Sequence, residues 1–164
     1  MMISRGNLVP ATDMAAIKFL ALVGGWGMLY AGDPTYAESI GDRSKRALIS
    51  VMDGVKRQPN RARVKEVEQV VTNAFQEELR FQVTNQFLSK YDMTLEKFRK
   101  SGKRQFGDDF EKINKPILEF SLGTSFIVCG VDDYDIPHIL TLQSTVLIGT
   151  AQIPSGVTSR LTIT

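Results

Sequence analysis

The stretch at residues 17–33, IKFLALVGGWGMLYAGD, leads directly into PTYAES and constrains the fold more than any other part of the chain. It reads as an apolar strand, a Gly24-Gly25 turn, a second apolar strand and a helix opened by Asp33 and Pro34. Lys18 enters the first strand, and Gly32 sits where the second strand hands over to the helix. Functional arguments therefore begin from this segment.

Helical signals follow. Asp33 can cap, and Pro34 suits the first turn because its missing N–H would be unpaired there anyway. Tyr36, Ile40, Ala47, Leu48, Val51, Met52 and Val55 recur on one face, and Gly54 and Pro59 bracket the end. A second helix is predicted from about residue 61 to 91, with Val64, Val67, Val71, Ala74, Phe75, Leu79, Val83 and Phe87 as its apolar stripe. At about 1.5 Å per residue it would be roughly 45 Å long. Two such helices joined by a short Pro-containing turn form an antiparallel pair whose stripes must be buried, and the flanking strands are the obvious cover.

Residues 92–114 interrupt this pattern with charge and glycine. Thr94 is predicted to cap a short helix stopped near Gly102, and Asp108 or Asp109 to open a turn ending before Pro116. The segment reads as a surface excursion. Lys97, Arg99, Lys100, Lys103 and Arg104, with Phe98 and Phe106 among them, suggest a basic patch with aromatic interleaving. The plainer reading, preferred here, is a solvated loop neutralised by Glu96, Asp108, Asp109 and Glu111.

Strand signals return at Ile117. The run ILEFSLGTSFIVCGVD is apolar and β-branched, DDYD supplies a turn and PHILTLQS a return strand, so residues 126–144 read as a hairpin. VLIGTAQI suggests a further strand, and the Ser- and Thr-rich tail carries no helical pattern. At the other end, a Gly6-Asn7 turn, a short return through Leu8 and Val9, and Pro10 to Asp13 resemble the middle of a domain. Strands, two helices and strands, in that order, give an α+β fold in which a helical layer covers a sheet.

Composition bounds the function. At 164 residues, with 43% hydrophobic and 23% charged side chains, residues 1–164 fit a single domain able to bury its own core. A formal net charge of +2 gives no global field for nucleic acid or an anionic membrane, so neither is expected as a partner. No apolar run reaches the length of a membrane span, and the first residues lack the pattern of a secretory signal. With one cysteine, Cys129, an intramolecular disulfide framework is excluded, and a cytoplasmic location is expected. No cofactor and no metal site is expected.

The resemblance that gathers these elements rests on Ile17-Lys18-Phe19-Leu20, on Tyr30-Ala31-Gly32-Asp33, and on Cys129-Gly130-Val131-Asp132-Asp133 through Pro137-His138-Ile139-Leu140. In order and spacing the chain is similar to the β-type proteasome subunits, within the N-terminal-nucleophile hydrolases, as far as about Ser144. The resemblance implies a four-layer αββα sandwich of which one helical layer is evident here. It also implies relation to threonine-type peptidases, in which an N-terminal threonine hydroxyl attacks a peptide carbonyl with its own α-amine as proton acceptor.

Two site residues carry over. Lys18 stands where the family keeps a lysine whose charge lowers the nucleophile's pKa and stabilises the developing anion. Gly32 stands where a backbone N–H points at the oxyanion, a position needing glycine so that substrate can approach the main chain. The nucleophile has no counterpart in the chain; the threonine and the acidic partner of the lysine would fall before Met1 in the family pattern. Ile148-Gly149-Thr150 or Ser155-Gly156 corresponds to a later strand end of the family, and the choice stays open. The domain is thus expected to be truncated at both ends, to leave a sheet face uncovered, and to associate with itself or with other proteasome-like subunits. A peptide is the substrate of any longer, active form; the alternative is a non-catalytic structural subunit.

Plainer readings accompany these residues. Lys18 also fits a strand-edge lysine, and Gly32 a turn glycine, while Asp33 is read as a cap. His138 is read as a partly buried strand histidine, Cys129 as core, and Trp26 as hairpin packing. VGGWG lacks both the P-loop lysine and the dinucleotide pattern.

Overall fold

The computed structural model describes residues 18–54 and 61–142. The expectations for the N-terminal turns, for the helix end beyond Gly54, for the VLIGTAQI strand and for the tail lie outside the described residues.

Strands β1 (Lys18–Ala21) and β2 (Trp26–Ala31) form the expected hairpin, with Gly24 and Gly25 in its turn at φ of 68° and 83°. Helices α1 (Pro34–Asp53) and α2 (Val64–Val83) follow, and a helical pair α3 (Leu95–Phe106) and α4 (Phe110–Glu119) precedes β3 (Ser125–Val131) and β4 (Pro137–Leu142). The sheet is antiparallel throughout, in the order β1-β2-β3-β4. Mixed helix and antiparallel sheet make an α+β fold.

The helix starts follow from local chemistry. Asp33 Oδ1 accepts the Thr35 N–H at 2.8 Å, with Pro34 behind it in the first turn. The α2 start is held by Glu66, whose carboxylate accepts the Arg63 N–H at 3.0 Å. Beyond Val83 the same helical course continues through a π turn at Thr84–Leu88 and a 3₁₀ turn at Ser89–Tyr91, so the long helix ends at the expected place.

Helices α1 and α2 run antiparallel. Ser39, early in α1, donates to Glu78, late in α2, whereas Met52 at the other end of α1 lies by Gly24 and Ala62. The pleat sends alternate strand residues to opposite faces. One face carries Trp26, Met28, Tyr30, Phe126, Val128 and Leu140, and all six are buried in the main core with Ile40, Leu48, Val67, Val71, Phe75 and Leu79 of the two helices. The opposite face carries Phe19, Leu29, Ile127 and Ile139, of which Phe19 is 59% exposed, Ile127 44% and Ile139 43%. The helices therefore cover one face of the sheet only, among the described residues.

Residues 92–114 differ from the expected surface excursion. Leu95 and Phe98 of α3 and Ile117 of α4 join Val83, Leu88 and Met93 in a second buried cluster, with Phe87, Tyr91, Phe106, Phe110 and Ile113 packed around it. Thr94 does cap α3, accepting from the Lys97 N–H at 3.3 Å, but Gly102 does not stop the helix. It is buried, and a Cβ there would lie 2.9 Å from the Phe98 ring and 3.1 Å from that of Phe110. Its missing side chain lets the ring of α4 approach α3. The stop falls at Gly107, whose φ of 53° no continuing helix adopts. Ile117–Glu119 is likewise the last turn of α4 and not the start of a strand, and Pro116 stands exposed inside that short helix.

Candidate functional site

Hairpin geometry brings Lys18 and Gly32 to the same end of the sheet. Lys18 is the first residue of β1 and pairs with Tyr30, two residues before Gly32. Its side chain shares the helix-facing side of the sheet with Tyr30, and Nζ lies 5.5 Å from the centroid of the Tyr30 ring. That distance is within cation–π range. Burial raises the Tyr30 phenol above its ordinary pKa, and the nearby Glu38 carboxylate adds to the shift.

Gly32 has φ of 107°, which disfavours every residue with a Cβ. A Cβ at Gly32 would also sit 2.1 Å from the Gly123 carbonyl oxygen, in the loop that enters β3. The glycine is thus fixed twice, by its backbone angle and by a main-chain neighbour. Its residue is exposed, and its N–H makes no hydrogen bond among the described residues. An amine and a backbone N–H that has no hydrogen-bond partner among the described residues, at one end of a hairpin, are groups suited to stabilising an anion. Asp33, next in the chain, is engaged as the α1 cap.

At the opposite end of β2, the Trp26 indole N–H donates to the Ala62 carbonyl at 3.0 Å, and its ring stacks on His138 with centroids 6.0 Å apart and planes at 14°. Gly130 lies between them in the register, where a Cβ would meet the Trp26 ring at 2.6 Å. Trp26 is therefore hairpin packing, as read from the sequence. His138 Nε2 lies 2.8 Å from Asp132 Oδ2, and Asp132 Oδ1 accepts the Tyr134 and Ile136 N–H groups at 2.9 and 3.0 Å. Burial alone would raise the Asp132 pKa; the hydrogen bonds from Ile136, His138 and Tyr134 outweigh it and hold the carboxyl below the ordinary range. Arg63 pairs with Asp133 at 2.9 Å and Arg61 with Asp135, fastening this turn to the start of α2. This polar cluster closes the β3–β4 turn and stands apart from Lys18 and Gly32.

Sequence reasoning missed a second polar group between α1 and α2. Glu78 is 3% exposed; Oε2 accepts from Ser39 at 2.7 Å and lies 3.4 Å from Arg43, while Oε1 accepts from Gln82 at 2.8 Å. Ser39 and Glu78 stand far apart in sequence, and only the antiparallel packing of the helices joins them. Cys129 is half-buried on the sheet face turned away from the helices, outside the main core. Among the described residues no group of three or more His, Cys, Asp or Glu side chains is placed to hold a metal, and no helix is long and apolar enough to cross a membrane.

The less favoured reading, a basic patch with interleaved aromatics, fails in its aromatic part. Lys97, Arg99, Lys100, Lys103 and Arg104 are exposed on α3, but Phe98 is 1% exposed and Phe106 half-buried, both packed against aromatic rings. Comparison with family models, with curated proteins and with solved structures gave no match to this chain.

Proposed function

We propose that the chain is a proteasome subunit-like protein, related to the threonine-type peptidases of the N-terminal-nucleophile hydrolases. The observation that carries the reading is that the Lys18 amine and a Gly32 N–H without a hydrogen bond among the described residues lie at the same end of the β1–β2 hairpin. In that role Lys18 favours the ionised form of an attacking hydroxyl, and Gly32 donates to the oxygen on which charge develops as a peptide carbonyl is attacked. The attacking threonine has no counterpart among the placed residues. In this reading the exposed face bearing Phe19, Ile127 and Ile139 is the inner face of an αββα sandwich, waiting for a second sheet.

The same apolar face supports a second reading, a structural subunit without its own nucleophile, held in an assembly by contacts rather than by chemistry. Terminal sequencing of the mature native protein separates the two. An N-terminal threonine, with fluorogenic-peptide hydrolysis lost in Lys18→Ala at unchanged thermal stability, supports the peptidase. A mature N-terminus without threonine, in an assembly that hydrolyses no peptide, leaves the structural subunit. Hydrolysis unaffected by Lys18→Ala contradicts the assigned role of the lysine.

A further inference from the structure

Helix α3 presents two unlike sides. Leu95, Phe98 and Gly102 are buried and Phe106 half-buried, which fixes the inward side. At about 100° per residue, Lys97, Lys100 and Arg104 fall on the opposite side, flanked by Arg99 and Lys103, and all five are exposed. None of the five forms an ion pair among the described residues, and what sets them apart from the chain's other such cations is that five stand within eight residues of one helix. Of the two acids that follow the end of α3, Asp109 is held by Lys112 at 2.7 Å and Asp108 stands exposed. Like charges three and four residues apart, as in Lys97–Lys100, Lys100–Arg104 and Arg99–Lys103, work against a free helix. Only Glu96, four residues before Lys100, offsets them on this side; the second core holds α3 in place, and the cations stay exposed.

We infer that this outer side of α3 docks a short acidic segment of a partner protein, a property independent of the hydrolase reading. Charge complementarity identifies the chemistry, because five exposed cations close together on one short helix call for carboxylates. The dimensions and borders of the stripe select a protein segment over nucleic acid. From Lys97 to Arg104 the stripe runs about 10 Å at 1.5 Å per residue, the reach of three or four extended residues. Exposed Glu96 lies at one end, and exposed Asp108, Asp109 and Glu111 lie past the other. A duplex, carrying a charge about every 1.7 Å along its axis, would run past the stripe into these acids. Single strands bind on aromatic platforms, and here Phe98 and Phe106 are packed inward. The Ser101 hydroxyl is also engaged, donating to the Lys97 carbonyl at 2.9 Å.

The test is fluorescence anisotropy of a labelled peptide of eight glutamates titrated with the full chain, at low and at physiological ionic strength. The expected result is binding that weakens with salt and falls by at least about tenfold in Lys97→Glu/Lys100→Glu/Arg104→Glu, taking each exposed charge as a few tenths of the effect needed. Lys45→Glu on α1, an exposed cation outside the stripe, is expected to leave the affinity unchanged. Should the triple reversal fail to fold by circular dichroism, Lys100→Ala/Arg104→Ala serves in its place, with a smaller loss in the same direction. No binding at low salt overturns the proposal, as does equal weakening by Lys45→Glu, which would mark diffuse charge attraction. Tighter binding of a duplex oligonucleotide than of the peptide, lost in the same variants, also overturns it and makes α3 a nucleic-acid surface.

Discussion

The two faces of the sheet are built from the same strands and residue types, yet among the described residues only one is covered. On the helix side Met28 is 0% exposed, Val128 1% and Phe126 2%; on the other side Phe19, Ile127 and Ile139 stand between 43% and 59% exposed. Alternation along β3 makes the contrast within one strand, since Phe126 and Val128 point one way and Ile127 the other. A sheet that faces water on one side ordinarily alternates apolar with polar residues. Here the outer face of the four strands carries no charged side chain, and its polar residues Ser125 and Thr141 stand beside Phe19, Leu29, Ile127, Cys129 and Ile139. Such a strand set has the pattern of one buried on both sides, and contiguous exposed apolar surface marks an interaction site.

Substitutions that break this contrast rank by burial. Phe126→Ala on the covered face removes a ring packed edge-on against Phe75, 6.1 Å between centroids, and is expected to cost about 3–5 kcal/mol by denaturant unfolding. A loss under about 1 kcal/mol would mean that the helix-side core is not the stabilising one. Gly32→Ala, at the end of the sheet, forces a Cβ against the Gly123 carbonyl at positive φ and is expected to cost about 1–3 kcal/mol, read as a lower unfolding midpoint. An unchanged midpoint would show that the Gly123 loop yields freely.

Asp132→Asn tests the turn between β3 and β4. The folded pKa of Asp132 lies below its ordinary value, so the associated stability is present above the unfolded pKa of about 3.9 and is lost as pH falls through the folded value. At pH 7 the substitution is expected to cost about 1–3 kcal/mol, through weakened hydrogen bonds to His138, Tyr134 and Ile136. Urea melts should show the gap between variant and parent narrowing below about pH 4. A gap that stays constant with pH would remove the carboxylate's role. The smallest effect is expected on the open face, where Ile127→Ser should change monomer stability by no more than about 1 kcal/mol. A loss as large as that of Phe126→Ala would show that the outer face is already covered.

Much of this architecture was legible because it rests on local chemistry. The Gly24-Gly25 turn, the Asp33-Pro34 helix start, the long helix to Tyr91 and the Asp-rich β3–β4 turn each carry a signal within a few residues. Residues 92–119 do not read as two packed helices because seven cations and two glycines dominate the segment. Its apolar positions at Leu95, Phe98, Phe106, Phe110 and Ile117 have a helical spacing, but Gly102 resembled a stop. Only the approach of Phe110 explains that glycine. Lys18 and Gly32 could be placed at strand ends from sequence, since a hairpin fixes both. That Lys18 shares a face with Tyr30, and that Gly123 packs on Gly32, depend on register and on a loop far along the chain.

The open sheet face is the central claim, and sedimentation velocity of the purified chain tests it most directly, alongside Ile127→Lys/Ile139→Lys. The chain is predicted to self-associate, and the double variant, with two charges set into the exposed face, to sediment as a smaller species at the same concentration. A compact, stable monomer for the unsubstituted chain, indistinguishable in size from the variant, would contradict it.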